Sequence, residues 1–152
     1  MRIVNQAYLW RQGNSGNGFV RKSTDRYKDR AECSMDIPHT IVGTLDGTVI
    51  CSGKGLVDRA ADSVDIGPLA VDPAHQGMGF GKMLLDCLEN LASHQELSTI
   101  SCRPDLLNYY RRRGYVTTKT VPITDIIPLE NLTRPDLRMH LMRKKINKLD
   151  SH

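Results

Sequence analysis

No apolar run in this 152-residue chain approaches the ~18 residues that a membrane-spanning helix needs. The opening Met1-Arg2-Ile3-Val4-Asn5 has no signal-peptide hydrophobic stretch. The expectation is a cytoplasmic protein, with the nucleus also open to it, and no membrane partner. Cysteine is sparse: Cys33, Cys51, Cys87 and Cys102 form no C-x-x-C pair, which argues against a zinc ribbon or a disulfide framework. They read as reduced, with Cys87 and Cys102 as small buried hydrophobes inside regular elements. The five histidines (His39, His75, His94, His140, His152) show no ligand spacing, so no metal is expected. Aromatic residues make up only 5% of the chain, and the single tryptophan, Trp10, suggests no chemistry. Neither sign of charge dominates, since 21 basic against 17 acidic residues leave +4. The basic runs Arg111-Arg112-Arg113 and Arg143-Lys144-Lys145 read as solvated faces or counter-charges for an anionic cofactor. Nucleic acid is not an expected partner, because neither a base-stacking platform nor a helix-turn-helix accompanies them.

What remains is ordinary for one soluble globular domain spanning 1–152, with 39% hydrophobic and 25% charged residues. Short helices are expected over Val4–Arg11 and Asp25–Met35, separated by the loop 14–18. Thr40–Leu45 and Thr48–Gly53 flank Asp46-Gly47, a two-residue hairpin signal. Val64–Val71 reads as a third strand, and Gly67-Pro68 within it forces a bulge, a splay or an edge, because proline cannot donate to a ladder. An amphipathic helix follows from Phe80 to about Ser93. Its inner face carries Phe80, Leu84, Cys87, Leu88, Leu91 and Ala92, with Lys82, Asp86 and Glu89 outside it. Leu97–Cys102 is a strand, Asp105–Arg113 a helix with Pro104 at its start and Gly114 as its stop. Strands at Tyr115–Thr118 and Leu137–Arg143 close the chain around a proline-containing connection, 122–134. That order gives an α/β fold with a mixed sheet flanked by helices.

The densest signal is the run from Ile66 to Lys82. A strand ends at Asp72-Pro73, a glycine-rich turn follows, and a helix opens at once. Gly77, Gly79 and Gly81 alternate, so the backbone can curl and aim successive N–H groups at one spot beside the positive end of a helix. This is a place for a phosphate or diphosphate. It is not a P-loop, because Gln76 stands where the first glycine belongs and Met83 replaces the Ser or Thr. It is not the dinucleotide fingerprint either, because Lys82 occupies the third glycine position.

The stretch Gln76-Gly77-Met78-Gly79-Phe80-Gly81, behind the strand end Leu69-Ala70-Val71-Asp72-Pro73, resembles the acetyl-coenzyme A signature of the GNAT superfamily of N-acetyltransferases. Tyr110-Arg111-Arg112-Arg113-Gly114-Tyr115 resembles the family's Y-x-x-x-G-F/Y motif, and Asn5–Tyr8 resembles its first helix. The resemblance implies a GNAT-like fold over nearly the whole chain, probing one departure: only three residues precede Val4. A full first strand is therefore not expected, and the sheet edge is left exposed or filled by a partner chain, a second copy included.

The same resemblance implies roles. The turn amides from Gln76 through Gly77, Met78, Gly79, Phe80 and Gly81 to Lys82 would hold the diphosphate of acetyl-coenzyme A. The pantetheine would lie between splayed strands, Ser63–Val71 and Leu97–Cys102, against the main chain of Leu69, Ala70 and Val71. Tyr110 would meet the departing thiolate by hydrogen bond or proton transfer, with Tyr109 as the competitor if the register slips by one. Asp65, at even spacing from Gly67, Leu69 and Val71, would share their face and act as base, ahead of Asp62 or Glu32. The implied reaction is direct attack of a primary amine, of a small molecule or a peptide, in a ternary complex. The competing reading is a domain that senses acyl-CoA or recruits a partner without turnover.

Overall fold

The computed structural model describes residues 39–146. Six strands and two α-helices follow in the order β1 (His39–Leu45), β2 (Thr48–Asp58), β3 (Ser63–Val71), α1 (Phe80–Glu89), β4 (His94–Ile100), α2 (Pro104–Arg112), β5 (Val116–Pro122) and β6 (Arg138–Lys145). They form one mixed sheet, β1-β2-β3-β4-β6-β5. Every pairing is antiparallel except β3 with β4, whose parallel alignment needs the crossover that α1 supplies. The sheet edge expected to lack a full first strand, the two expected N-terminal helices, Trp10, Glu32 and Cys33 lie outside the described residues. Among the described residues no helix is long and apolar enough to cross a membrane.

Asp46 (φ 49°) and Gly47 (φ 77°) make the β1–β2 hairpin turn, both with the positive φ that a type I′ turn demands. β2 continues five residues past the expected Gly53 because it keeps a partner, β3, to its end. Gly53 and Gly55 on β2 let α1 lie close. A Cβ on Gly53 would sit 2.9 Å from Leu88 Cδ1, and one on Gly55 3.2 Å from Leu88 Cδ2. Val64, Ile66, Leu85, Leu88, Leu97 and Met142 fill the core between α1 and the sheet. Beneath the connection after β5, Ile123, Ile127, Leu132 and Leu137 form a second apolar cluster around two short 3-10 turns.

Three expectations about α1 and its surroundings need correction. The helix ends at Glu89, not near Ser93, because Gln95 folds back and donates to the carbonyls of Glu89 (3.1 Å) and Ala92 (2.6 Å). Cys87 is exposed rather than buried, and Cys102 sits just past β4 in a turn, half-buried. Glu89, expected on the outer face, is buried with 5% of its surface exposed, while Leu85 lies at the centre of the apolar stripe. A buried carboxylate is tolerable only where charges reach it, and here they do.

Candidate active site

β3 runs out at Val71, where Asp72 Oδ1 accepts a bond from Ala74 N–H (3.0 Å) and caps one 3-10 turn, Pro73–His75. Gln76 reaches back and donates its side-chain amide to the Val71 carbonyl at 3.0 Å. Gly77 (φ 80°) and Gly79 (φ 88°) then adopt left-handed backbone, a conformation that costs other residues about 1–2 kcal/mol. Gly79 occupies the cap position of α1 and offers no side-chain acceptor, and the first turn carries no acidic residue. The opening N–H groups of a helix have no intrahelical acceptor, so an uncapped start presents them, with the positive dipole end, to an anion. Gly81 is different: its backbone is helical, and among the described residues an added Cβ would meet only Val71 Cγ2, at 3.8 Å. Among the described residues nothing excludes a side chain there, which leaves the ground above the turn open to them. Met78 and Lys82 flank it, both exposed, and Lys82 pairs with Asp86 at 3.0 Å.

Beside this turn the sheet comes apart. β3 and β4 pair over three rungs only, Ser63–His94, Val64–Gln95 and Asp65–Glu96. Beyond them β3 stays with β2 as far as Val71–Cys51, and β4 stays with β6 as far as Ile100–Met139. A gap therefore opens between two strands that are each supported on their outer side. Between Ile66 and Leu69 β3 carries one residue more than β2 does between Gly55 and Gly53, a bulge at Gly67-Pro68, whose peptide is cis. Asp72 N–H donates to Ile50 on β2 (2.7 Å), so by strand alternation the Val71 carbonyl and N–H face the gap, and those of Leu69 do likewise.

The bulge overturns one sequence inference. Even spacing placed Asp65 on the face of Leu69 and Val71, but the extra residue inverts the alternation. Leu69 and Val71 pack toward α1 with Val64 and Ile66, while Asp65 is exposed on the opposite face. Its neighbour across the last rung is Glu96, which Arg143 of β6 holds at 2.8 Å. Desolvation by the surrounding chain, and after it the charge of Glu96, raise the Asp65 pKa above its ordinary value. Asp62 lies elsewhere, in the turn before β3, where its Oδ1 accepts from Ser93 N–H at 3.2 Å.

Tyr110, half-buried in the last turn of α2, packs against the core cluster that includes Val64, Ile66 and Leu97, on the α1 side of the gap. Its ring meets Tyr109 edge-on at 5.4 Å and Tyr115 at 5.7 Å. Behind it stands a set of residues that the sequence reading did not single out. Glu89 accepts from Tyr115 Oη (2.9 Å), Arg113 (3.1 Å) and Lys144 (3.2 Å), and Arg113 also binds Asp86 at 2.7 Å. Burial first, then the charge and hydrogen bond of Glu89, push the Tyr115 phenol well above its usual range. Burial alone would lower the Arg113 pKa, but its bonds to Asp86 and Glu89 outweigh that and keep it raised. The Arg113 hydrogen bond in turn holds the Asp86 carboxyl low. The available sequence signal was position: Glu89 falls four residues after Leu85, on the apolar stripe itself. The basic run 111–113 thus divides, with Arg111 and Arg112 exposed and Arg113 turned inward.

Similarity to known proteins gives the family. The acetyltransferase (GNAT) family matches residues 5–115. No functionally curated protein matches the sequence. Among solved structures, the ribosomal-protein-S18-alanine N-acetyltransferase from Escherichia coli is 16% identical, with a TM-score of 0.65 over 78% of this chain and 77% of that one. Ard1 from Thermoplasma volcanium is 19% identical, with a TM-score of 0.64 over 81% and 83%. A protein of Bacillus anthracis str. Ames, assigned as a streptothricin acetyltransferase and solved with acetyl coenzyme A, is 13% identical with a TM-score of 0.59. That match covers 71% of this chain and 63% of the other, so the chain spans less than two thirds of its length. At these identities the structures speak for the fold, whereas the family match covers most of the chain: this protein belongs to the GNAT acetyltransferase family.

Proposed function

We propose that this protein is an N-acetyltransferase that moves acetyl from acetyl-coenzyme A to a primary amine of a small molecule or peptide. The observation that carries the reading is the ladder between β3 and β4 stopping at Asp65–Glu96 beside an uncapped glycine turn. The turn amides from Gly77 to Lys82 suit a diphosphate, and the main chain of Leu69 and Val71 suits the amides of a pantetheine arm lying in the gap. An N–H at Val71 is placed to stabilise negative charge developing on the thioester oxygen.

Asp65, on the last rung before that gap, and Tyr110, packed against the core on the α1 side, lie on opposite faces of the sheet. Such an arrangement suits a displacement in which the amine arrives from one side and sulfur leaves from the other. Asp65, its pKa raised, takes the proton that the attacking nitrogen must lose. The N–C bond forms, the C–S bond breaks, and Tyr110 donates a hydrogen bond to the departing sulfur. An unperturbed phenol is about 1.5 units less acidic than a thiol, so the hydrogen bond is the less costly of its two options, full transfer being uphill by roughly 2 kcal/mol.

The test is acetyl-CoA binding by calorimetry, then mass spectrometry of products from an amine panel. Expected are saturable binding and acetylation of at least one amine, with Tyr110→Phe lowering kcat about tenfold or more. Binding without turnover on any amine would instead support the sensing or recruiting domain. Unchanged kcat in Tyr110→Phe would remove that residue from the chemistry.

A further inference from the structure

We propose that Tyr115, anchored by the buried Glu89 at the far end of α1, is a positioning residue that fixes the Tyr110 phenol relative to the glycine turn. Tyr115 touches Tyr110 in two independent ways. Its main-chain N–H donates to the Tyr110 carbonyl at 3.0 Å, and its ring meets the Tyr110 ring at 73° with centroids 5.7 Å apart. Tyr115 itself has little freedom, being 1% exposed with its hydroxyl 2.9 Å from Glu89 Oε1. Lys144, bonded to the same carboxylate, also lies over the Tyr115 ring at 5.5 Å from its centroid. Glu89 is in turn the last residue of a ten-residue helix whose first residue follows Gly79. A helix of that length is a rod of about 15 Å. One rigid element thus joins the anion-binding turn to the ring that abuts Tyr110.

The inference rests on the proposed role of Tyr110. In that reading the phenol must meet a sulfur whose place is set by the turn, and misplacement by about 1 Å can cost on the order of a hundredfold in rate. Tying both ends of that distance to α1 holds it fixed. Tyr115 touches no reacting atom on this account, so it acts only through its neighbour.

Tyr115→Phe, Tyr115→Leu and Glu89→Gln in the full chain test it, read by kinetics and by 13C NMR of labelled tyrosine rings. The Tyr110 resonance is assigned by its loss in Tyr110→Phe. The expectation is a shifted Tyr110 resonance in each variant, with kcat down about fivefold to fiftyfold and KM for acetyl-CoA changed less than about twofold. Tyr110→Phe/Tyr115→Phe should be no slower than Tyr110→Phe alone, since residues acting through one group are not additive. An unmoved Tyr110 resonance, or rate losses that multiply, would overturn the proposal. Should Tyr115→Leu fail to fold, Tyr115→Phe and Glu89→Gln, which keep the packing, carry the same expectations. A shifted resonance together with full activity in Tyr110→Phe supports the coupling and removes Tyr110 from the reaction, so the two readings fail separately.

Discussion

At its first residue α1 stands behind Gly79, with no side chain among the described residues capping its amides, whereas at its last three side chains converge on one buried carboxylate, Glu89. Helix ends carry the same number of orphan groups, so the contrast is not a property of helices. One end is left open, the end at which we propose that an anion binds; the other is tied into the core, with Gln95 taking the Glu89 carbonyl as well. The difference teaches that the two termini of one helix can be treated in opposite ways, one left open and one tied into the core.

Glu89→Ala should break the comparison hardest. It takes the shared acceptor from Lys144 and Tyr115 and leaves Arg113 with Asp86, and removing one partner of a buried charge set costs about 3–5 kcal/mol. Urea denaturation should show that loss, and a change under about 1 kcal/mol would mean the cluster contributes little to holding α1. Gly81→Val should do the reverse. The helical backbone there accepts valine, whose propensity is close to or better than that of glycine, so stability should stay within about 1 kcal/mol. Acetyl-CoA affinity should nevertheless fall at least about tenfold, because the new side chain stands over the turn. Unaltered affinity would place the ligand elsewhere.

The smallest effect concerns Asp65. Its carboxyl is held above the ordinary value of about 3.9, first by desolvation and then by Glu96, so the folded chain binds that proton more tightly than the unfolded one. The stability it contributes is complete below the ordinary value and is lost as pH rises through the raised one. Asp65→Asn should therefore raise Tm slightly at pH 7 and not at pH 3, while slowing turnover. Thermal melts at the two pH values check the sign, and an equal gain at both would contradict it.

The order of elements along the chain was legible because its signals are local: Asp46-Gly47 for the hairpin, Pro104 and Gly114 for the ends of α2, and glycines 77 and 79 for the turn. The parting of β3 and β4 was foreseeable at Gly67-Pro68 for the same reason. Its consequence for Asp65 was not, because period-2 counting assumes an unbroken strand and the bulge inserts a residue into it. Glu89 was expected on the outer face because burial of a carboxylate depends on cations that arrive from the end of α2 and from β6, 24 and 55 residues away in sequence. Such pairings are properties of tertiary contact, and no window along the chain contains them.

The central claim is that the amides of residues 77–82 hold a diphosphate and thereby deliver an acyl group to the gap between β3 and β4. Calorimetric titration of the full chain with acetyl-CoA tests it most directly. A saturable isotherm that Gly81→Val weakens at least about tenfold is the predicted result. No heat at millimolar ligand, or an isotherm that the substitution leaves unchanged, would contradict it.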